Sequence, residues 1–473
     1  MTRPILVSFV LALGIGCGGG TPAANEPAPA EEAPGTATPD PVAAPQMPEV
    51  AGEVIGLPGA PVPGLSATYV TTGLGWLGST EDEVVFEGVI QWTDTTLLGC
   101  GILRRAPDGT VHTVLMQDQV LPNTGFGRVK HPRLPLESNE TTLLIPAGVE
   151  GGTISRGLFA VPKHGGAPVL IAAEATGLFV GAEFTDDGRV IAEVDRDGVR
   201  VVLVIEPGAD PLALCEGCAP GFSSDGTCVV VHDHDRAERI ELDGAAATIV
   251  AVGDPAPGSA GSVTAVRDAW TTPSGDLVVH LQTDDAARPD VLIRIRAGQV
   301  DLLAACGAPA PGTNGTFDEI RPARGEYDDV VFGATVAGDP ESGGAIFCAL
   351  RGGATEILWK DGGPAPDVPG AVVGLIADAV AAAPAGAAVF GGHVFTGGAV
   401  AARGVFRAEV GPINRILTTD APVRGLADTT LTSLPDGLQD AIRTTDDGRT
   451  LVYAGLTQSR RPTATLHALI LVR

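Results

Sequence analysis

A turn of the form Gly-x-Pro-x-Pro-Gly recurs along this chain, and its spacing limits the fold more than any other feature. It reads GAPVPG at 59–64, GDPAPG at 253–258, GAPAPG at 307–312 and GGPAPDVPG at 362–370, with a decayed DAPVRG at 420–425. Aligned on the alanine before proline, Ala256, Ala310, Ala365 and Ala421 lie 54, 55 and 56 residues apart. Self-similarity at a fixed period marks a repeat architecture, and a period of about 50 residues suits one propeller blade.

The same order of elements returns within each period. An apolar stretch such as TFDEIRP (316–322) or VVGLIAD (372–378) precedes a β-branched or aromatic strand: EDEVVFEGV (81–89), SGDLVVHLQ (274–282), YDDVVFGATV (327–336) or AGAAVFGGHV (385–394). A further strand follows, as in CGILRRA (100–106), RGLFAVP (156–162), VLIRIRA (291–297), GAIFCAL (344–350) and RGVFRAE (403–409). A last short apolar strand then reaches the Pro-Gly turn. Residues alternate with the period of two that a half-buried strand requires, so each period makes one four-stranded antiparallel blade.

The periods are 65–125, 126–177, 178–221, 222–258, 259–312, 313–370, 371–425 and 426–473. The expected fold is therefore all-β, a single propeller of about eight four-stranded blades, with seven as the alternative count. A β-solenoid or a string of sandwiches is the structural alternative, but solenoid coils are shorter and sandwiches do not repeat at this length. The last period stops at TLHALILVR (465–473), one strand short, while GEVIGLPGAPVPG (52–64) reads as a final strand and exit turn with no blade before it. Residues 53–57 are accordingly expected to join the C-terminal blade and close the ring.

Taken together, these turns, V-x-F strands, G-I-F strands and Pro-Gly exits resemble the tandem-repeat β-propellers of bacterial exported and anchored proteins. AEFTDDGRVIAEV (182–194) and PGFSSDGTCVVV (220–231) are similar to the strand-turn-strand signature of TolB-like and WD40-like blades, whose Asp-Gly pairs suit tight hairpins. Ser223–Thr227 also resembles the Asp-box turn of sialidase-like propellers, a structural turn. The resemblance implies architecture and carries no activity with it.

Residues 1–16 carry Arg3 and then an apolar run from Ile5 to Ile15, a secretory pattern too short to span a bilayer comfortably. Leu13-Gly14-Ile15-Gly16-Cys17 resembles a bacterial lipobox, which implies lipidation at Cys17; an ordinary signal peptide cleaved elsewhere is the alternative reading. Residues 17–52 are dominated by Pro, Ala, Glu and Thr and contain no basic residue, the composition of a disordered, self-repelling tether. The expected organisation is a signal peptide at 1–16, a tether at 17–52 and a propeller at 53–473. The expected location is the bacterial cell envelope, on the outer membrane or the periplasmic face.

Seven cysteines minus Cys17 leave an even number, compatible with disulfides in an exported chain. Cys215, Cys218 and Cys228 are close enough in sequence for a local structural disulfide; buried thiols, or metal or redox chemistry at Cys215-Glu-Gly-Cys218, are the other readings. His232 and His234 alternate with Asp233 and Asp235 and could hold a divalent metal on a strand, but a solvated hairpin end before Arg236 and Glu238 is the favoured reading. Asp195 and Asp197 resemble the opening of a calcium loop that lacks its later ligands, so a type I′ turn accounts for them. No cofactor is expected, with calcium as the one open possibility.

The chain carries 30 basic against 57 acidic residues, a net charge of −27, of which −22 falls on residues 54–473. Such a surface repels nucleic acid and anionic membrane, so membrane contact is expected only through a lipid at Cys17. With 44% hydrophobic residues the chain as a whole is not disordered, and 64 glycines with 38 prolines suit many short strands joined by turns. No compact catalytic motif occurs. The expected function is a monomeric, non-enzymatic scaffold binding a protein or glycan partner of the envelope. It would do so through loops at 91–100, 146–156, 337–344 and 396–402, on a rim carrying Glu150, Asp339 and Glu341, with Arg156 at its edge. The alternative is a carbohydrate hydrolase with its site in the central channel.

Overall fold

The computed structural model describes residues 52–472, apart from 78–82, 96, 122–123, 126, 186, 207–208, 223–227, 324–326, 340–342, 412, 425, 427, 435–441, 445–448 and 459–460. Eight separate antiparallel sheets follow one another along the chain, so the count is eight blades and not seven. Blades 1 to 7 occupy 67–116, 128–174, 178–216, 219–251, 263–305, 316–360 and 363–418. Blade 8 takes its first three strands from 429–472 and its outermost from Glu53–Ile55. The closing strand pairs Glu53 with Leu471, Val54 with Ile470 and Ile55 with Leu469, as the two incomplete ends require. It ends at Ile55 because Gly56 turns out of the sheet with φ 75°.

The V-x-F and G-x-F patterns build the layers between blades. Phe86, Phe332 and Phe390 on second strands, and Phe159, Phe347 and Phe406 on third strands, are all at most 1% exposed. Phe332 stacks on Phe347 at 5.4 Å, and Trp359 of blade 6 stacks on Phe390 of blade 7 at 6.2 Å, joining neighbouring sheets. Glycine two residues before a phenylalanine leaves room for its ring: a Cβ on Gly404 would lie 2.6 Å from the Phe406 ring. The spacing follows from the strand period, which puts residues i and i+2 on one face.

The Pro-Gly turns are the joints between blades. In each, a residue of positive φ donates its N–H to the carbonyl at the start of the next blade: Gly59 to Tyr69, Gly253 to Val263, Gly307 to Phe317 and Gly362 to Val373, at 2.7 to 3.0 Å. Three residues on, a buried apolar residue donates back as well, as Val62 does to Ala67 and Ala310 to Gly315. We term this unit a clasp. The decayed copy closes in the same way through Asp420 to Leu431 and Val423 to Thr429, so the counterpart of Ala310 is Val423 and not Ala421. That places the last interval at 58 residues instead of 56.

A sixth clasp, without the Pro-Gly pattern, enters blade 2 through Asp118 to Val129 and Leu121 to Gly127. Asp118 and Asp420 stand at φ 66° and 62°, the left-handed region that aspartate tolerates better than most residues. Blades 3 and 4 are entered through 175–177 and 217–218 without a clasp, and this missing segment makes their periods short. The boundary between them also moves, because Ala219–Phe222 is the first strand of blade 4 and not the end of blade 3.

Gly307 tests the clasp. A Cβ there would lie 2.3 Å from the Ala287 carbonyl oxygen, whereas at Gly253 nothing stands within 4 Å, and both have positive φ. Chemical denaturation should show Gly253→Ala losing about 1 kcal/mol from φ alone, and Gly307→Ala losing at least about 1 kcal/mol more. Equal losses would mean that the clasp does not press on its neighbouring loop.

Candidate functional site

Because strands alternate in direction, the clasps share one rim with the connections between second and third strands. Carboxylates bind the two together. Asp284 Oδ1 accepts the Ser262 N–H at 2.6 Å, Asp285 Oδ2 accepts Ser259 Oγ at 2.9 Å and Ala260 N–H at 3.1 Å, and Asp339 Oδ2 accepts Asn314 N–H at 3.2 Å. The N–H groups of Ala287 and Ala260, with the Ser259 hydroxyl, hold the Asp285 carboxyl below its usual range. The Thr93 N–H reaches Ser66 O, and the Thr153 N–H reaches Thr124 O, each at 2.9 Å.

These connections are shorter than the expected binding loops. Strands continue through much of each segment: the second strands run to Trp92, Glu150, Ala337 and Thr396, and the third begin at Leu98, Arg156, Gly344 and Ala399. Cross-strand pairing satisfies the backbone more completely than an open loop would, so ladder replaces loop. Glu150 is the last residue of a strand, with Lys130 Nζ at 3.1 Å from its Oε1, and Arg156 donates to the carbonyls of Thr176 and Gly177 at 2.6 and 3.1 Å. Asp339 is only 7% exposed, and Glu341 lies outside the described residues.

The rim is nevertheless strongly acidic. Among the described residues, its clasps and turns expose nine aspartates, including Asp94, Asp197, Asp235, Asp284 and Asp428, against the basic side chains of Arg288 and Arg424. Arg288 is occupied with the Gly258 carbonyl. A depression of about 570 Å³ opens on this rim beside blade 2, lined by Val149, the 151–155 turn and Ala173–Ala175. The Glu174 carboxylate in its wall is held by Arg196.

The expected metal ligands fall into separate settings. Asp197 and Gly198 form the two-residue turn between strands Val190–Arg196 and Val199–Ile205, with φ 54° and 86°, and Asp195 Oδ1 caps the Gly198 N–H at 2.8 Å. The strand carrying His232 ends there, because Asp233 Oδ1 turns the chain by accepting the N–H groups of Asp235 and Arg236 at 2.8 Å. His234 is therefore exposed on a turn and not beside His232 on a strand face. Among the described residues no three His, Cys, Asp or Glu side chains converge closely enough to hold a metal ion. Cys215 and Cys218 are joined as a disulfide. Cys228 is 3% exposed and begins the strand whose far end faces Ala219, so it lies away from Cys218 despite the short sequence distance. The Asp-box-like Ser223–Thr227, like Cys17, lies outside the described residues.

Sequence reading missed one titratable cluster. His232 Nε2 of blade 4 lies 3.4 Å from Asp268 Oδ1 of blade 5, and Asp268 pairs in register with His280 on the next strand. His280 Nε2 is 3.7 Å from Asp290 Oδ1, and both atoms are buried without a hydrogen-bond partner. Burial pulls the His280 imidazole below its usual range against the opposing pull of Asp290 and Asp268. These four residues come from four strands, so only strand pairing brings them together.

With this geometry in place, comparison with known proteins identifies a family. The domain family described as "Family of unknown function (DUF7453)" matches residues 230–466, half of the chain. The protein belongs to the DUF7453 family. The matched span opens in the second strand of blade 4 and closes within the third strand of blade 8, Arg461–Val472, so it takes in four of the six clasps. No curated protein matches this DUF7453 chain.

Solved structures similar to it include a puromycin hydrolase, at 14% identity and TM-score 0.37 over 74% of this chain and 62% of that one. The β-propeller domain of the trilobed protease from Pyrococcus furiosus is 8% identical at TM-score 0.38, over 75% of this chain and 99% of that domain. The acylaminoacyl peptidase of Pyrococcus horikoshii is 9% identical at TM-score 0.38, over 80% of this chain and 58% of that one. The chain thus spans less than two thirds of the hydrolase, and nothing of these proteins' activities transfers to it at such values.

Proposed function

We propose that this DUF7453 protein is a lipid-anchored binding scaffold of the bacterial cell envelope. It engages a protein or glycan partner, cationic or neutral at its contact surface, through the clasped rim. The observation that carries this reading is the rim itself: short turns pinned to one another by backbone and carboxylate hydrogen bonds, with nine exposed aspartates against two arginines among the described residues. Pinned turns lose little conformational entropy on binding, and a field of one sign speeds the approach of an opposite charge and turns away a like one.

Pull-down from envelope extract tests the rim. Asp94 and Asp235 are exposed, so the double variant Asp94→Lys with Asp235→Lys should capture at least about tenfold less partner, and wild-type capture should weaken as salt rises. Capture indifferent to both, or turnover of a glycan or ester by the purified protein, would overturn the reading. The anchor is tested separately: Cys17→Ser should move the protein from the membrane to the soluble fraction.

A further inference from the structure

Every junction between blades needs something to hold the incoming first strand, and six are held by clasps. The entry to blade 3 has the Arg156 guanidinium on the carbonyls of Thr176 and Gly177, with Arg196 on Glu174 beside it. The entry to blade 4 has two residues, Gly217 and Cys218, between the strands Leu212–Glu216 and Ala219–Phe222. One backbone bond, Gly217 N–H to Arg200 O at 2.7 Å, ties this link to blade 3. Beneath the link, Ile191, Val202 and Val204 of blade 3 pack on Val229, Val231 and Ile240 of blade 4, and the link itself is bridged by the Cys215–Cys218 disulfide, the single disulfide among the described residues.

We propose that this disulfide is a redox latch, which fixes the link from blade 3 into blade 4 where the clasp is missing and lets that link open locally on reduction. The two sulfurs have unlike settings, as directed exchange requires. Cys215 is half-buried on the outermost strand of blade 3, whereas Cys218 is 2% exposed and packs with Val202, Val204, Val229 and Val231. A thiolate of an external dithiol attacks the Cys215 sulfur, the Cys215–Cys218 bond breaks, and Cys218 leaves as a thiolate that takes up a proton. The second thiol of the dithiol attacks the mixed disulfide, releasing Cys215 as its thiol. Two electrons pass to the protein, and the dithiol departs as a cyclic disulfide. The apolar packing between the blades remains, but the released link keeps one backbone bond and leads into a four-residue strand, so it opens locally more often.

Cys228 takes no part, because the hairpin register puts it at the opposite end of its strand from Cys218. The latch does not depend on the rim's binding partner, so each proposal can fail alone.

Hydrogen–deuterium exchange of the full chain under native conditions, with and without dithiothreitol, tests the proposal. Reduction should speed exchange at least tenfold in peptides covering 212–222 and 228–241, leave the clasped junctions at 253–263 and 307–317 unchanged, and be reversed by reoxidation. The double variant Cys215→Ser with Cys218→Ser should exchange fast at the seam from the outset and ignore dithiothreitol, while Cys228→Ser should respond as wild type does. Equal exchange in the oxidised and reduced wild type would overturn the latch. So would acceleration spread evenly around the ring, or loss of the response in Cys228→Ser.

Discussion

Replacing Glu83 by glutamine should destabilise the propeller by about 3–5 kcal/mol, because it strands two buried cations. Glu83 precedes the second strand of blade 1 and is wholly buried; Arg104 of the same blade binds one carboxylate oxygen, and Lys163 of blade 2 binds the other at 2.9 Å. Burial would raise this carboxyl, yet the hydrogen bonds from Lys163 and Arg104 outweigh it and hold the group below its usual value. With a folded value below the unfolded one, the contribution is present above the ordinary glutamate range, near pH 4.3, and is lost as pH falls through the folded value. Denaturant midpoints of wild type and Glu83→Gln should therefore differ widely at pH 7 and converge as pH falls well below 4.3. The pair Arg189–Asp187, whose carboxylate is exposed, provides the contrast, since Asp187→Asn should shift the midpoint far less in screening solvent. A Glu83 variant no worse than that one would show that the two blades are held by packing alone.

Removing residues 52–58 should cost about 4 kcal/mol and leave a protein that self-associates. Ile55 is 4% exposed against blade 8, and Glu53 binds Arg105 of blade 1 at 2.5 Å, so the closing strand touches both sides of the seam. Burying an isoleucine contributes about 2–3 kcal/mol, and each ladder bond about 1 kcal/mol. The strand Arg461–Val472 would then present an open edge, the usual template for pairing with another chain. Denaturation and light scattering should separate this deletion from removal of residues 20–45, which should change neither property. Equal stability of the two truncations would mean that closure of the ring does not depend on Glu53–Ile55.

The sequence alone determines the strand count per period and the strand that closes the ring, and narrows the blades to eight or seven, between which the eight sheets decide. Strand alternation and Pro-Gly turns are local, and every period repeats them. Phe86, Phe332 and Phe390 could be assigned to the core because they sit at one position of one pattern.

The joints between blades were legible only in part. The clasp entering blade 2 has Asp118 and Leu121 where most of its counterparts have glycine and then alanine or valine, and a hydrogen-bond pattern can persist after its sequence signature has gone. The loops read as binding segments proved to be largely strand, since whether a polar stretch pairs depends on the strand it meets. Tertiary structure alone decided that Cys218 bonds Cys215 and stands away from Cys228, that Glu83 meets a lysine 80 residues away, and that His232, Asp268, His280 and Asp290 share one neighbourhood. In each case the deciding quantity is register between strands distant in the chain. A one-residue shift would turn every one of these side chains to the other face, and no composition or motif records that choice.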